Sequence, residues 1–142
     1  QFARHNVSRD TYILYSVFKR QDRYSNTAVI DAMNGQPGNI TEYNLWDGIF
    51  IDNGCDRLLG LRAQGGTIRH FDIRNVVITT GKQSSPFGMW SYLLNGEYED
   101  IKFTNLTIDG VAITGVADDP GAHLRGHLWF QGNPSALSFH SE

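Results

Sequence analysis

Hydrophobic and polar positions alternate in the same way along two stretches of this chain. Residues 71–78 read FDIRNVVI and residues 101–108 read IKFTNLTI, with apolar residues at every second position on both sides of a central asparagine. Alternation with a period of two predicts strands with one buried face. Asparagine adopts the left-handed backbone conformation more readily than most residues, so Asn75 and Asn105 predict bends between strands. Stacked bends would let the two amides hydrogen-bond as a ladder.

A third, related stretch precedes these two. Residues 43–50, YNLWDGIF, place Asp47 where the other stretches have asparagine, and aspartate also accepts such a bend. The successive bend positions are 28 and 30 residues apart, a period typical of solenoids and propellers. Each unit begins with a short apolar run that ends in glycine: AVIDAMNG, RLLGLRAQGG and WSYLLNG. The pattern therefore predicts an all-β fold, a parallel β-helix with no antiparallel pairing of the repeated segments.

The remaining segments are assigned by the same pattern. Residues 127–132 begin a fourth unit that ends at 137–139, and residues 2–6 resemble the tail of an earlier unit. Residues 7–26 and 116–126 are predicted as ordered excursions between units. The strand pattern starts close to Gln1 with no amphipathic capping helix before it. We therefore expect residues 1–142 to be one β-helix region, the C-terminal part of a larger β-helix, whose partner is the remainder of that β-helix or another copy.

Composition narrows the range of functions. The formal net charge is −3 and no cluster of lysine or arginine occurs, which argues against a nucleic-acid surface. The longest apolar runs are a few residues, so no membrane span is predicted. Cys55 is the single cysteine, which leaves no internal disulfide and no zinc-finger spacing. Neither metal-ligand spacing nor a phosphate-binding glycine loop is present, so we expect no metal and no cofactor.

The first strand of each unit offers candidate ligand-binding residues. Alternation directs Leu61, Leu128 and Phe130 inward, so their neighbours face outward. Trp90 and Tyr92 share a face and fit more easily outside than inside a narrow core. Aromatic faces beside charged groups suit a pyranose ring, which has apolar C–H faces and hydroxyl rims. The predicted substrate-binding residues are Asp31, Arg62, Trp90, Tyr92 and Trp129, flanked by Asp22, Arg23 and Tyr24 of the 7–26 segment. Alternatively, the aromatic residues pack under the flanking segments and Asp31 pairs with an arginine.

Longer phrases carry a family resemblance. The sequences YNLWDGIFID, DRLLGLR and IKFTNLTIDG, together with the asparagine bend, resemble the pectin-lyase-like superfamily of right-handed parallel β-helix proteins. The wording is most similar to the C-terminal coils of dextranase- and isopullulanase-type glycoside hydrolases, from about Arg4 to Phe139. The resemblance implies a right-handed β-helix and a secreted, extracellular enzyme that hydrolyses an α-glucan polysaccharide or oligosaccharide. In such enzymes one carboxyl group protonates the leaving oxygen and another activates water.

The carboxylates of this chain fit that chemistry only in part. Dextranases resemble one another in having adjacent aspartates, and Asp118 and Asp119 are adjacent, but the Pro-Gly that follows them predicts a turn. The catalytic acids are then expected upstream, with Asp31 the one candidate here. A non-catalytic carbohydrate-binding or tailspike-type β-helix is the first alternative. A polysaccharide lyase is the second, and it would require clustered outward carboxylates, of which Asp31 is the only example in the better-phased strands.

Overall fold

The computed structural model describes residues 3–6, 8–19, 28–34, 36–52, 57–63, 65–79, 90–93, 97–119, 121–131 and 133–142. These residues form an all-β fold with two short 3₁₀ helices. The strands are β1 (Ala3–Asn6), β2 (Tyr12–Leu14), β3 (Val17–Lys19), β4 (Ala28–Asn34), β5 (Ile40–Asp52), β6 (Arg57–Ala63), β7 (Thr67–Ile78), β8 (Trp90–Leu93), β9 (Glu97–Ile108), β10 (Val111–Ala112), β11 (Gly115–Ala117), β12 (His127–Gln131) and β13 (Leu137–His140). The helices are η1 (Ala122–Arg125) and η2 (Pro134–Ala136).

The strands form two sheets in which almost every described pairing is parallel. The first sheet has the order β1-β4-β6-β8-β12-β11. The second has the order β10-β9-β7-β5-β2, with β3 also on β5 and β13 also on β9. The chain alternates between the sheets, since β4, β6 and β8 are followed by β5, β7 and β9. Each repeat unit therefore adds one strand to each sheet, which confirms the prediction of an all-β fold with parallel strands.

Two columns of left-handed residues divide the long strands of the second sheet. The first bend column has φ values of 54°, 48° and 50°, at Tyr43, His70 and Asp100. The second bend column has φ values of 69°, 52° and 55°, at Gly48, Asn75 and Asn105. The registers of β5, β7 and β9 set the members of each column side by side. The predicted bends at Asn75 and Asn105 are confirmed, whereas the first column was not predicted.

Each bend shifts the inward alternation by one residue. Phe71 and Ile73 are buried before Asn75, and Val76 and Ile78 are buried after it. In a regular strand, side chains alternate strictly between the two faces, so one of these two pairs would point towards solvent. The left-handed conformation of Asn75 therefore keeps the apolar side chains on both sides of the bend in one core.

The core lies between the two sheets and is built from aligned rows. Trp46, Ile73 and Phe103 are opposite one another in the register and are buried, and Phe139 of β13 stacks on Phe103 with ring centroids 5.1 Å apart. Tyr98 links the two sheets, because its hydroxyl donates to Leu61 O at 2.7 Å and accepts from Ala63 N at 3.0 Å. This buried hydroxyl therefore has both a donor and an acceptor partner.

Side-chain amides form the predicted ladder along the second bend column. Asn105 Nδ2 donates to Asn75 Oδ1 at 3.0 Å, and Asn75 Nδ2 donates to Asp47 Oδ1 at 2.9 Å. The Glu142 backbone N–H donates to Asn105 Oδ1 at 2.8 Å and continues the ladder at its other end. Four residues from successive units are thus joined by hydrogen bonds that all point the same way.

The predicted bend at Asp47 is wrong by one residue. The left-handed residue is Gly48, and Asp47 lies opposite Arg74. A Cβ atom at position 48 would lie 2.5 Å from Cδ1 of Tyr15, so glycine suits both the conformation and the space. The prediction failed because it assumed that inward positions are apolar, whereas the inward residue Asn44 is polar and buried. Its Oδ1 accepts a hydrogen bond from Thr11 N at 3.0 Å. The Asp47 side chain still reaches the ladder from the neighbouring position.

The predictions for residues 2–6 and 7–26 are also corrected. The strand β1 pairs with β4 in the first sheet, so it starts a repeat unit and is not the tail of one. The strands β2 and β3 pair in parallel with β5. Residues 12–19 therefore continue the repeat unit that β1 begins, and they are not an excursion. Tyr15 is its left-handed bend, opposite Gly48. The pattern was hidden because Tyr12 and Val17 are apolar but exposed.

The last unit contains a predicted and an unpredicted part. Leu128 and Phe130 of β12 are buried and β13 pairs with β9, as expected for a fourth unit after 127. In contrast, β10 forms an antiparallel hairpin with β9, which corrects the expectation that no repeated segment pairs in that way. Asp109 and Gly110 both have positive φ, as a two-residue type I′ hairpin turn requires. Residues 115–117 form β11 and pair with β12, so the predicted excursion at 116 begins as a strand.

Replacing Asn75 tests what the ladder and the bend contribute. We expect Asn75→Leu to lower the free energy of unfolding by about 1–3 kcal/mol, because leucine strains the left-handed backbone and removes the hydrogen bonds to Asp47 Oδ1 and from Asn105 Nδ2. Asn75→Gly keeps the conformation and removes only the side-chain bonds, so its loss should be smaller. Urea denaturation measures both values. Wild-type stability in Asn75→Leu would show that neither feature matters for folding.

A second stability test concerns the close approach of two units at Gly66. A Cβ atom there would lie 2.2 Å from Oδ1 of Asn34, a buried side chain whose Nδ2 donates to Thr67 O at 3.3 Å. Gly66→Ala should therefore cost about 2–3 kcal/mol of unfolding free energy. Gly38 has a φ of 81° with no atom within 4 Å of its Cβ position, so Gly38→Ala should cost about 1 kcal/mol from strain alone. The reverse order in thermal or urea unfolding would contradict the described packing.

Candidate functional site

The predicted substrate-binding residues of the first strands occupy neighbouring backbone positions in the first sheet. The register aligns Asp31 with Gly60, Gly60 with Trp90 and Trp90 with Trp129. Arg62 pairs with Tyr92 two positions further along the same strands. Because side chains alternate along a strand, positions two apart lie on one face of a sheet. The row formed by Asp31, Trp90 and Trp129 is called the first-sheet row below.

The burial of neighbouring residues shows which positions of the first sheet face the core. Leu61, Ser91 and Phe130 form the adjacent register row, and Leu61 and Phe130 are 0% and 5% exposed. Their predicted inward orientation is confirmed, as is that of Leu128. Trp129, between two buried residues, is itself half-buried. Trp129 therefore alternates with buried residues of β12, and the backbone positions of Asp31 and Trp90 belong to the same register row.

Not every predicted residue can be placed in detail. The side chains of Asp31, Arg62, Trp90 and Tyr92 lie outside the described part of the structure, which gives only their backbone register. Asp22, Arg23 and Tyr24 lie wholly outside the described residues. Trp129 is thus the one member of the predicted set whose side chain the structure describes.

The segment before β12 borders Trp129. Ala117 of β11 is opposite Trp129, and Gly115 is opposite His127. A Cβ atom at position 115 would be 3.4 Å from the His127 ring, so the two strands pack closely. One edge of the first-sheet row is therefore bounded by residues 115–117.

Asp119 belongs to a turn, as the Pro-Gly sequence predicted. Its Oδ1 accepts a hydrogen bond from Gly121 N at 3.0 Å, and its Oδ2 accepts one from the Arg125 guanidinium. The Arg125 hydrogen bond lowers the pKa of the Asp119 carboxyl, and the Arg125 charge and the Gly121 N–H act in the same direction. A general acid requires the opposite shift, towards a pKa nearer to neutral pH. The local chemistry of Asp119 therefore agrees with a turn.

Sequence reasoning missed the side chains of the first bend column. The Tyr43 and His70 rings stack 4.9 Å apart at an angle of 9°, and His70 Nδ1 lies 2.8 Å from Asp100 Oδ2. Arg9 extends the stack, with its guanidinium carbon 5.3 Å from the Tyr43 ring centroid. The residue type differs in each unit, so no repeated letter marks the column. The one feature that the three residues share in the sequence is their position, five residues before the corresponding residue of the second bend column.

An ion pair lies beside this column. Arg69 Nε donates to Glu42 Oε2 at 2.7 Å, and this hydrogen bond to Glu42 raises the pKa of Arg69. Glu42 also lies 3.7 Å from Arg9 Nε, so it joins cations from two units. The Arg9 side chain is 65% exposed, but the side chains of Arg69 and Glu42 are only 33% and 14% exposed, so water screens the Arg69–Glu42 pair less than a surface pair. Their effect is to hold the charged side chains of adjacent units in fixed positions.

Comparison of the chain with known protein families, with curated proteins and with solved structures gave no match. Among the described residues, no helix has the length and apolar character needed to cross a membrane. Within the same part of the chain, His, Cys, Asp and Glu form no group of three or more suited to a metal ion.

The Asp119 turn gives a pH-dependent prediction. Because the folded-state pKa is depressed, the Asp119–Arg125 bond contributes stability above the ordinary carboxyl pKa of about 3.9 and loses it as the pH falls through the folded pKa. Carbon-detected NMR titration should give a pKa for Asp119 below that ordinary value, and Arg125→Gln should raise it. Leu124→Ala, at an exposed neighbour, should leave it unchanged. An Asp119 titration unaffected by Arg125→Gln would contradict the described bond.

Proposed function

We propose that this chain is a right-handed parallel β-helix region of a secreted glycoside hydrolase that degrades an α-glucan. Two observations support the fold part of the proposal. Repeat units add strands to both parallel sheets in turn, and their bends stack in two columns. Connections between parallel strands of one sheet are right-handed in almost all proteins, which favours that hand here. Extracellular location follows from the same resemblance to dextranase- and isopullulanase-type enzymes.

The observation that carries the functional part is the first-sheet row. Trp90 and Trp129 are direct neighbours in the register, and Asp31 lies in the same row on β4. The row alternates with the buried residues Leu61 and Phe130. Outward aromatic side chains spaced by adjacent strands, about 4.8 Å apart, would offer successive platforms to the apolar faces of a sugar chain. Arg62 and Tyr92 would supply hydrogen bonds to hydroxyl groups.

The carboxylates determine what this surface can do chemically. Glycoside hydrolysis commonly uses two carboxyl groups, about 5–10 Å apart. The first-sheet row contains one, Asp31, and Asp22 of the predicted set lies outside the described residues. We therefore assign to this chain the binding of the polysaccharide, with catalytic acids supplied outside the row, and keep Asp31 as the single catalytic candidate.

The lone carboxylate also supports a second candidate, a non-catalytic carbohydrate-binding or tailspike-type β-helix. In that protein the same row would recognise a glycan without cleaving it. A polysaccharide lyase is less well supported, since its calcium-binding carboxylates would be clustered and the row offers only Asp31. The two leading candidates share a binding surface and differ in turnover.

Trp129 provides the direct test of the binding surface. Trp129→Ala should weaken the binding of isomalto- and maltooligosaccharides several-fold, because it removes a stacking interaction of about 1 kcal/mol. Trp129→Phe, which keeps an aromatic face, should retain most of the affinity. Isothermal titration calorimetry of the assembled protein measures both. Equal affinity of wild type and Trp129→Ala would place glycan binding elsewhere.

Asp31 separates the hydrolase from the binding module. If Asp31 is a catalytic acid, Asp31→Asn should lower kcat by orders of magnitude with little change in oligosaccharide affinity. If it only binds, affinity should fall while kcat, where turnover occurs, stays near the wild-type value. Reducing-sugar release and affinity measured on the same preparation distinguish the cases. Lack of any turnover by the wild-type assembled protein on dextran and pullulan would favour the non-catalytic candidate.

A further inference from the structure

A groove crosses the second sheet between the two bend columns. It has a volume of about 370 Å³, within the range of about 300–1,000 Å³ found for ligand pockets. Its walls come from three consecutive units, on β5, β7 and β9. The residues that matter for its chemistry are Tyr43, His70, Asp72, Arg74, Asp100 and Lys102. It lies on a different sheet from the first-sheet row.

The ionised groups of the groove balance one another. Asp72 and Asp100 contribute two negative charges, and Arg74 and Lys102 contribute two positive charges. Asp72 is directly opposite Lys102 in the register of β7 and β9. A site with balanced charge has no strong preference for an anion or a cation. It offers instead hydrogen-bond acceptors beside donors, which is what a hydroxyl group uses, since a hydroxyl can both donate and accept.

Asp72 is available for a ligand. Asp100 is already engaged by His70 at 2.8 Å and lies 4.0 Å from Lys102. Arg74 lies 3.9 Å from the Glu142 carboxylate. Within the described ranges, by contrast, the Asp72 carboxylate has neither a hydrogen bond nor an ion pair, although the residue is partly buried. A partly buried carboxylate without a partner gains more from a hydrogen-bond donor than a fully solvated one does.

The aromatic residues of the groove act differently from Trp129. The Tyr43 ring stacks on the His70 ring, and the Arg9 guanidinium also lies over the Tyr43 ring. These contacts occupy ring surface that a sugar would need for stacking. A ligand would be held here mainly by hydrogen bonds from Asp72, Lys102 and their neighbours.

From these contacts we propose that the groove binds a segment of a neutral oligosaccharide. The ligand lies across β5, β7 and β9, with its hydroxyl groups donating to Asp72 and accepting from Lys102. The open walls span three strands at about 4.8 Å spacing, which suits a chain of sugar units better than a small zwitterion that would require an enclosed pocket. Binding at this groove is independent of the first-sheet row, so either surface can bind when the other does not.

The probe is a panel of neutral heptasaccharides: malto-, isomalto-, cello- and laminariheptaose. Binding at the groove should shift the amide NMR signals of residues 70–74 and 100–102 during titration of the full chain. Asp72→Asn should weaken that binding about tenfold, as loss of a hydrogen bond to a charged group does. Glu97→Gln changes an exposed carboxylate on β9 outside the groove and should leave the affinity unchanged.

The two surfaces are separated by comparing variants. Trp129→Ala should leave the shifts at residues 70–74 intact, and Asp72→Asn should leave those at residues 127–131 intact. The melting temperature of each variant must match the wild type, and Asp72→Ala serves as a second variant if Asp72→Asn is unstable. The groove proposal is overturned if no panel member shifts residues 70–74, or if Asp72→Asn and wild type bind equally. It is also overturned if inorganic phosphate or a heparin oligosaccharide binds there in place of the neutral sugars.

Discussion

The fold depends on a backbone conformation that most residues avoid. A side chain in the left-handed region costs roughly 1–3 kcal/mol, yet the second sheet requires this conformation twice in each long strand. The cost is offset because every bend keeps two apolar rows in the same core. At Asn75 and Asn105 the side chains offset it further by bonding to each other. The core and the ladder are therefore consequences of one geometric requirement, the bend.

The same requirement frees other positions to vary. A bend constrains the backbone and leaves the side chain on the outside, so residues as different as Tyr43, His70 and Asp100 occupy equivalent places. Between the two columns, outward residues such as Asp72 and Lys102 have no part in the core. A rigid framework with variable outer positions is the usual arrangement for recognition surfaces. Both proposed binding surfaces are built in this way, one on each sheet.

Sequence patterns predicted the fold where buried residues were apolar and failed where they were polar. Around Asn75 and Asn105 the inward positions are all apolar, and the bends were located correctly. Inward Asn44 displaced the predicted bend from Gly48 to Asp47. Exposed Tyr12 and Val17 concealed the strands β2 and β3. In each failure, hydrogen bonds or an exposed edge took the place of the expected burial, and a single sequence does not reveal that.

The first-sheet row and the groove also differ in how far the sequence alone could predict them. The outward phase of Trp129 follows from alternation within one strand, so local sequence was sufficient. The groove joins residues of three strands, and its charge balance exists only once the register places Asp72 beside Lys102. Residue identity alone could not bring those groups together. The stacked Tyr43 and His70 rings depend on register in the same way.

The ladder has a direction, and that direction bears on how such a protein can grow by duplication. Each asparagine amide both donates and accepts, so a unit carrying one can be copied and inserted between two others without leaving a bond unmade. Asp47 accepts the last hydrogen bond, and its carboxylate has no proton to pass on. An aspartate at this position therefore acts as a terminator in the series of amides. Duplication of the Asn75 or Asn105 unit would lengthen the ladder, whereas a copied Asp47 unit in its middle would interrupt it.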